Sequence, residues 1–131
     1  MSKEKYNLNN FNDEEFACKC GCGLNEMNLV FVKKLDHARF EQGKKWVMNS
    51  AQRCRKHNLA VGGSPTSTHL KGMAGDVQCE NAIDRKWKVY FGTQAGIRRT
   101  VLYDDKMIVH FDDDPKKPEG LFVYKKEKEN A

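Results

Sequence analysis

The chain has 131 residues, 39% of them hydrophobic and 31% charged, with a formal net charge of +5. That length supports one domain with a real core and excludes two. No apolar run approaches the roughly 20 residues that a membrane-spanning helix needs, and Met1-Ser2-Lys3-Glu4-Lys5-Tyr6-Asn7 lacks the apolar stretch of a signal peptide. Synthesis in the cytoplasm is therefore expected. The positive charge suits an anionic partner, wall polymer or nucleic acid, without choosing between them.

In chain order, residues 1–15 read as an extended arm with Tyr6, Leu8 and Phe11 as docking points. Cys18, Cys20 and Cys22 follow in alternation, tighter than the C-x2-C spacing of a zinc knuckle, with Cys54 and Cys79 further on. Five thiols cannot all pair within one monomer. The expected state is small, partly buried thiols around a turn; a structural metal site with Cys54 or Cys79, or a disulfide, are the alternatives. Residues 28–42 form the first helix, with Val30, Phe31, Leu35 and Ala38 at helical spacing and Gly43 as the stop. His37 within it reads as a surface histidine.

Residues 45–51, bulky and branched, read as a strand ending near Arg53, and residues 55–60 as a short helix holding His57 in a structural role. A loop, Gly62-Gly63-Ser64-Pro65, delivers Ser67 and His69. Gly72 and Gly75 then bend the chain so that Asp76 arrives on a strand with Val77. Ser67 either hydrogen-bonds substrate or braces the His69 loop. A second helix starts at Asn81, with Asp84 in its first turn, an apolar stripe of Ile83, Trp87, Tyr90 and Phe91 assigned to the core, and Gly92 as its end. Residues 97–103 and 106–111 make a hairpin turning at Asp104-Asp105, and Asp113 and Asp114 read as solvated turn acids. One more apolar run, Leu121 to Tyr124, precedes a lysine-rich end, with 125–131 expected to fray.

His69, Asp76 and His110 carry the chemistry. Two imidazoles and a carboxylate can hold a tetrahedral ion with one open position, the layout of a catalytic zinc. Residues two apart on a strand share a face, so Asp112 would join His110 in one pocket as the base that takes a proton from water.

The same residues carry a resemblance. Ser67-Thr68-His69-Leu70-Lys71-Gly72-Met73-Ala74-Gly75-Asp76 with His110-Phe111-Asp112 resembles the motif set of the zinc D-alanyl-D-alanine carboxypeptidase family. That family includes phage endolysins and shares its fold with the hedgehog signalling domain. Ser50-Ala51-Gln52-Arg53-Cys54-Arg55-Lys56-His57-Asn58 with Val61-Gly62-Gly63 is similar to its arginine segment, although Ala51 and Gln52 replace the usual glycine and aromatic residue. Phe16-Ala17-Cys18-Lys19-Cys20-Gly21-Cys22-Gly23 is similar to the opening of short phage-type members. The resemblance implies an α+β fold: a small, mostly antiparallel sheet with helices packed against it and a zinc cleft. It implies Arg53 as a substrate-carboxylate anchor, a role that suits a planar guanidinium. It also leaves a second candidate base. Some relatives carry a glutamate where this chain has Met107, and the hedgehog domain carries an acid at the place of Asp104.

The expected protein is a single peptidase domain over 1–131, a monomer that cleaves peptidoglycan stem peptides with Zn2+ held by His69, Asp76 and His110. Asp112, or alternatively Asp104, serves as base, and Arg53 and Ser67 meet substrate. It would act at the bacterial cell wall after release, as phage lysins do through a holin. The alternative is a non-catalytic, hedgehog-like binding module that keeps the metal. Nucleic-acid binding is not expected, because the chain has no recognition motif or aromatic-basic platform.

Overall fold

The computed structural model describes residues 5–125, an α+β fold. A 3₁₀ turn at Asp13–Phe16 precedes helix α1 (Leu29–Gln42), strand β1 (Met48–Ser50) and helix α2 (Arg55–Ala60). A second 3₁₀ turn, Thr68–Lys71, leads into β2 (Ala74–Gln78), α3 (Ala82–Gln94), β3 (Arg99–Tyr103), β4 (Ile108–Asp112) and β5 (Gly120–Tyr124). The strands form one sheet in the order β1-β2-β4-β3-β5, antiparallel except where β5 runs parallel to β3. Among the described residues, no helix is long and apolar enough to cross a membrane. The expected frayed end lies, beyond Lys125, outside the described residues.

Local chemistry explains the helix ends. The Asn28 side chain accepts the Phe31 N–H at 3.0 Å and caps α1, and Gly43, at φ 72°, closes it in the left-handed conformation. Phe31, Val32, Leu35 and Ala38 are buried, while Val30, assigned to the core by its spacing, faces solvent and Val32 takes its place. His37 is on the surface beside Glu41. Tyr6 and Phe11, with Phe16 just after them, enter the core, and Leu8 packs against it. Strand β1 is shorter than the seven-residue run expected, and Trp46 before it stacks on Phe111 with ring centres 5.8 Å apart.

The sheet divides two environments by simple alternation. On β4, Val109 and Phe111 face α1 and α3, while His110 and Asp112 face the opposite side. On β2, Val77 faces the core and Asp76 the other side.

Helix α3 departs from expectation. Asn81 caps it through the Asp84 N–H, but Ile83, Trp87 and Tyr90 lie exposed, and the buried residues are Asp84, Lys88 and Gly92. Of the expected stripe only Phe91 packs against the core, with Val89 beside it, and the fully buried part of the inward face is held by charge. Lys88 Nζ donates to Asp84 Oδ2 at 2.7 Å with both side chains almost fully buried. The Glu80 N–H and the Gln42 amide also bond to Asp84, and Gln42 accepts from the Trp46 indole. Gly92 does not end the helix. It lies inside it, where any Cβ would strike the Phe111 ring. Asp113 and Asp114 are not solvated either: Asp113 pairs with Lys34 at 2.7 Å and Asp114 with Lys71 at 2.8 Å, both acids buried.

Removing one member of the Asp84–Lys88 pair leaves an uncompensated charge in the core. Asp84→Ala should cost about 3–5 kcal/mol in urea unfolding, whereas Asp84→Leu with Lys88→Met should recover most of that loss. Burial raises the Asp84 pKa, but Lys88 and the Glu80 amide outweigh it and hold the carboxyl below its ordinary value. Its contribution should therefore persist at neutral pH and be lost only as pH falls below about 4.

Candidate metal centre

Three elements bring the site together. His69 sits in the Thr68–Lys71 turn, which Ser67 caps by accepting the His69 N–H at 3.2 Å. Gly72 closes that turn at φ 69°, with its Cα against the Glu26 carbonyl, so a side chain there meets both strain and a clash. Gly75, expected to bend the chain, lies instead within β2 against Met48. Asp76 on β2 stands directly opposite His110 on β4, and the two share a face.

The hydrogen bonds set the ring nitrogens. His69 Nδ1 lies 2.6 Å from the Ala51 carbonyl, which can only accept, so Nδ1 carries a proton, and Nε2 lies 3.3 Å from Asp76 Oδ2. His110 Nδ1 lies 2.8 Å from Asp76 Oδ1, and its Nε2 lies 2.7 Å from Asp112 Oδ2. One donor atom from each of His69, Asp76 and His110 lies within 4.8 Å of the others. Two imidazole nitrogens and a carboxylate converging this way fit a divalent ion with a position left open. Burial favours a neutral His110, but the bonds to Asp112 and Asp76 outweigh it and push the ring up to about 9. Burial likewise raises Asp76, yet His110 and His69 hold it well below the usual carboxylate range.

The trio opens onto a cleft of about 570 Å³ whose lining includes Arg53, Ser67, Arg99, Lys106, Lys117 and Tyr124. Arg53 is aimed by its neighbours: Nε donates to Ser50 Oγ and Nη1 to Asn58 Oδ1, both at 3.0 Å, with Nη2 3.6 Å from Asp76. Gln52 does not face the cleft. It is buried, accepting the Glu26 N–H at 2.7 Å and donating to the Leu70 carbonyl, a structural bridge between the segment before α1 and the His69 turn.

The two candidate bases separate. Asp104 lies in the exposed β3–β4 turn and does not border the cleft, while Asp112 borders it at 1% exposure. Asp112 Oδ2 is taken by His110 Nε2, and its Oδ1 accepts the Asp114 N–H. Arg99, which the sequence reading did not single out, stands opposite Asp112 on β3 with Nε 3.3 Å from Oδ2. Only the strand register, unknown before the fold, places it there.

This geometry has a counterpart among known proteins: the chain matches the Peptidase M15 family over residues 6–112. The chain belongs to that family. No curated protein matches it. M15 peptidases are metal-dependent, and His69, Asp76 and His110 are this chain's candidate ligands, which makes it a metallopeptidase in general terms. The expected α+β fold with a mostly antiparallel sheet is the one observed.

Because His110 must lose a proton before Nδ1 can bind a cation, metal affinity should climb with pH. Titrations should show roughly tenfold tighter binding per unit up to about pH 9, with proton release measurable in weakly buffered solution. In the metal-free protein the sign reverses. His110 stabilises the fold fully below its unfolded value of about 6.5, and that contribution is lost as pH rises through about 9.

Proposed function

We propose that this protein is a single-domain zinc peptidase, a monomer that hydrolyses a peptide bond in peptidoglycan stem peptides at the bacterial cell wall. The observation that carries this reading is the charge of the cleft. Arg53, Arg99, Lys106 and Lys117 border it, while its carboxylates, Asp76 and Asp112, are already engaged by histidines. Such a cleft favours a peptide bearing several carboxylates, as stem peptides do.

His69, Asp76 and His110 would hold a divalent ion, which would supply Lewis acidity to the scissile carbonyl and acidity to the attacking water. Arg53, fixed by Ser50 and Asn58, anchors a substrate carboxylate with its remaining donors. Ser67 braces the His69 turn. For Asp112, expected as the base, the hydrogen bonds of its oxygens to His110 and the Asp114 amide support a positioning role, in which it would keep the proton on Nε2 and leave Nδ1 to the ion. A binding module retaining the metal is the second reading, favoured by the same engagement of both cleft carboxylates.

Digestion of purified peptidoglycan by the metal-loaded protein, with new termini identified by mass spectrometry, tests the proposal. One defined class of new peptide terminus is expected, and intact stem peptides would transfer the case to the binding module. Asp112→Asn should weaken metal binding by about 10–100-fold, with rate restored by excess metal. A loss of about 10²–10⁴-fold at saturating metal would make Asp112 the base after all. Asp104→Asn should leave both quantities near the parent's. Arg53→Lys should raise the KM for stem peptides without changing metal content, since a point charge does not replace a bidentate fork.

A further inference from the structure

A second cluster of metal-type ligands lies outside the cleft. Cys18 follows the first 3₁₀ turn, and Cys20 and Cys22 occupy the loop behind it, closed at its base by the Cys18 N–H on the Leu24 carbonyl at 2.9 Å. Cys54 comes from another segment, where it caps α2. The four sulfurs lie within 4.8 Å of one another, with Cys18 to Cys20 at 3.5 Å and Cys20 to Cys54 at 3.7 Å. A disulfide would require about 2.05 Å. Four sulfurs around a tetrahedral ion at about 2.3 Å stand about 3.8 Å apart, close to the 3.5 and 3.7 Å of those two pairs.

Packing does not account for this convergence. Cys20 and Cys22 are exposed, so apolar burial does not drive their side chains toward Cys18 and Cys54. The cluster also receives backbone donors suited to thiolate: the Cys54 N–H points at Cys18 Sγ at 3.4 Å and the His57 N–H at Cys54 Sγ at 3.3 Å. Cys79, buried at the end of β2 with its thiol on the Val77 carbonyl, is not part of it.

We infer that Cys18, Cys20, Cys22 and Cys54 form a closed, structural site for a thiophilic divalent ion, zinc by preference, separate from the His69–Asp76–His110 centre. Four thiolates fill a tetrahedral shell and leave no position for substrate, so this ion does no chemistry. Soft sulfur ligands select zinc over magnesium or calcium. As the dication binds, the thiol protons pass to solvent, leaving a cluster flanked in sequence by Lys19, Arg53, Arg55 and Lys56. The ion fastens the 18–24 loop to the residue immediately after Arg53, whose own N–H bonds to the His69 carbonyl at 3.0 Å. It thereby holds the arginine segment against the histidine turn.

The test uses the reduced full-length chain and needs no peptidase assay, so it stands apart from the proposed substrate. Protein purified without chelator should contain two zinc ions per chain. Cys20→Ser with Cys22→Ser should contain one, and His69→Ala with His110→Ala should also contain one, having lost the other. Cobalt-loaded parent and the histidine variant should show intense near-ultraviolet thiolate-to-cobalt absorption, absent from the cysteine variant. If the cysteine variant does not fold, the parent still decides: a mercurial titrant should release one zinc in step with thiol modification. A parent with folded circular dichroism but no thiolate-to-cobalt absorption overturns the inference. So does metal content unchanged by the cysteine substitutions, or free reaction of all four thiols without zinc release.

Discussion

Everything at the candidate centre depends on the pairing of Asp76 with His110 across β2 and β4. A slip of one residue would turn both side chains into the core and send Val77 and Val109 toward solvent. What forbids the slip lies on the other face, where Val77, Val109 and Phe111 are fully buried against α1, Trp46 and α3. Phe111→Ala alone would cost about 3–5 kcal/mol. Hydrophobic packing on one side of the sheet thus fixes the position of polar groups on the other.

The end of β4 extends this logic through charge. Three successive aspartates go to three different parts of the molecule: Asp112 to His110, Asp113 to Lys34 on α1, and Asp114 to Lys71 at the end of the histidine turn. Asp113 also accepts the Arg98 N–H at 2.8 Å. Each buried carboxylate is matched, as burial of charge demands. The run ties sheet, helix and ligand turn at one point, so that His69 and His110, far apart in sequence, are held by neighbouring anchors.

Much of this was legible in the sequence, because it rests on short-range signals. Asn28, Gly43 and Asn81 mark helix ends by local hydrogen bonds and backbone preference, and the glycine-punctuated run from Ser67 to Asp76 marks the ligand turn. What stayed hidden depends on partners distant in the chain. The aromatic stripe of α3 looked like core because Asp84 and Lys88 were not known to neutralise each other, with Gln42 and Trp46 completing the network. Asp112 was recognised as facing His110, but which ring nitrogen it meets is a matter of side-chain geometry that spacing does not carry. The approach of Cys54 to three cysteines more than thirty residues earlier is likewise a product of the fold, and Arg99 entered the cleft by register alone.

The family match stops at Asp112, yet the cleft does not. Lys117 and Tyr124, from the connection to β5 and from β5 itself, build part of its wall and lie beyond the matched residues. Strand β5 lies at the edge of the sheet, parallel to β3, which separates it from the ligand-bearing β4 and β2. The candidate metal ligands therefore all lie within the matched residues, while one bank of the channel is built from residues outside them. Exchange of that edge strand offers a designer a route to reshape the channel that leaves the candidate ligands untouched.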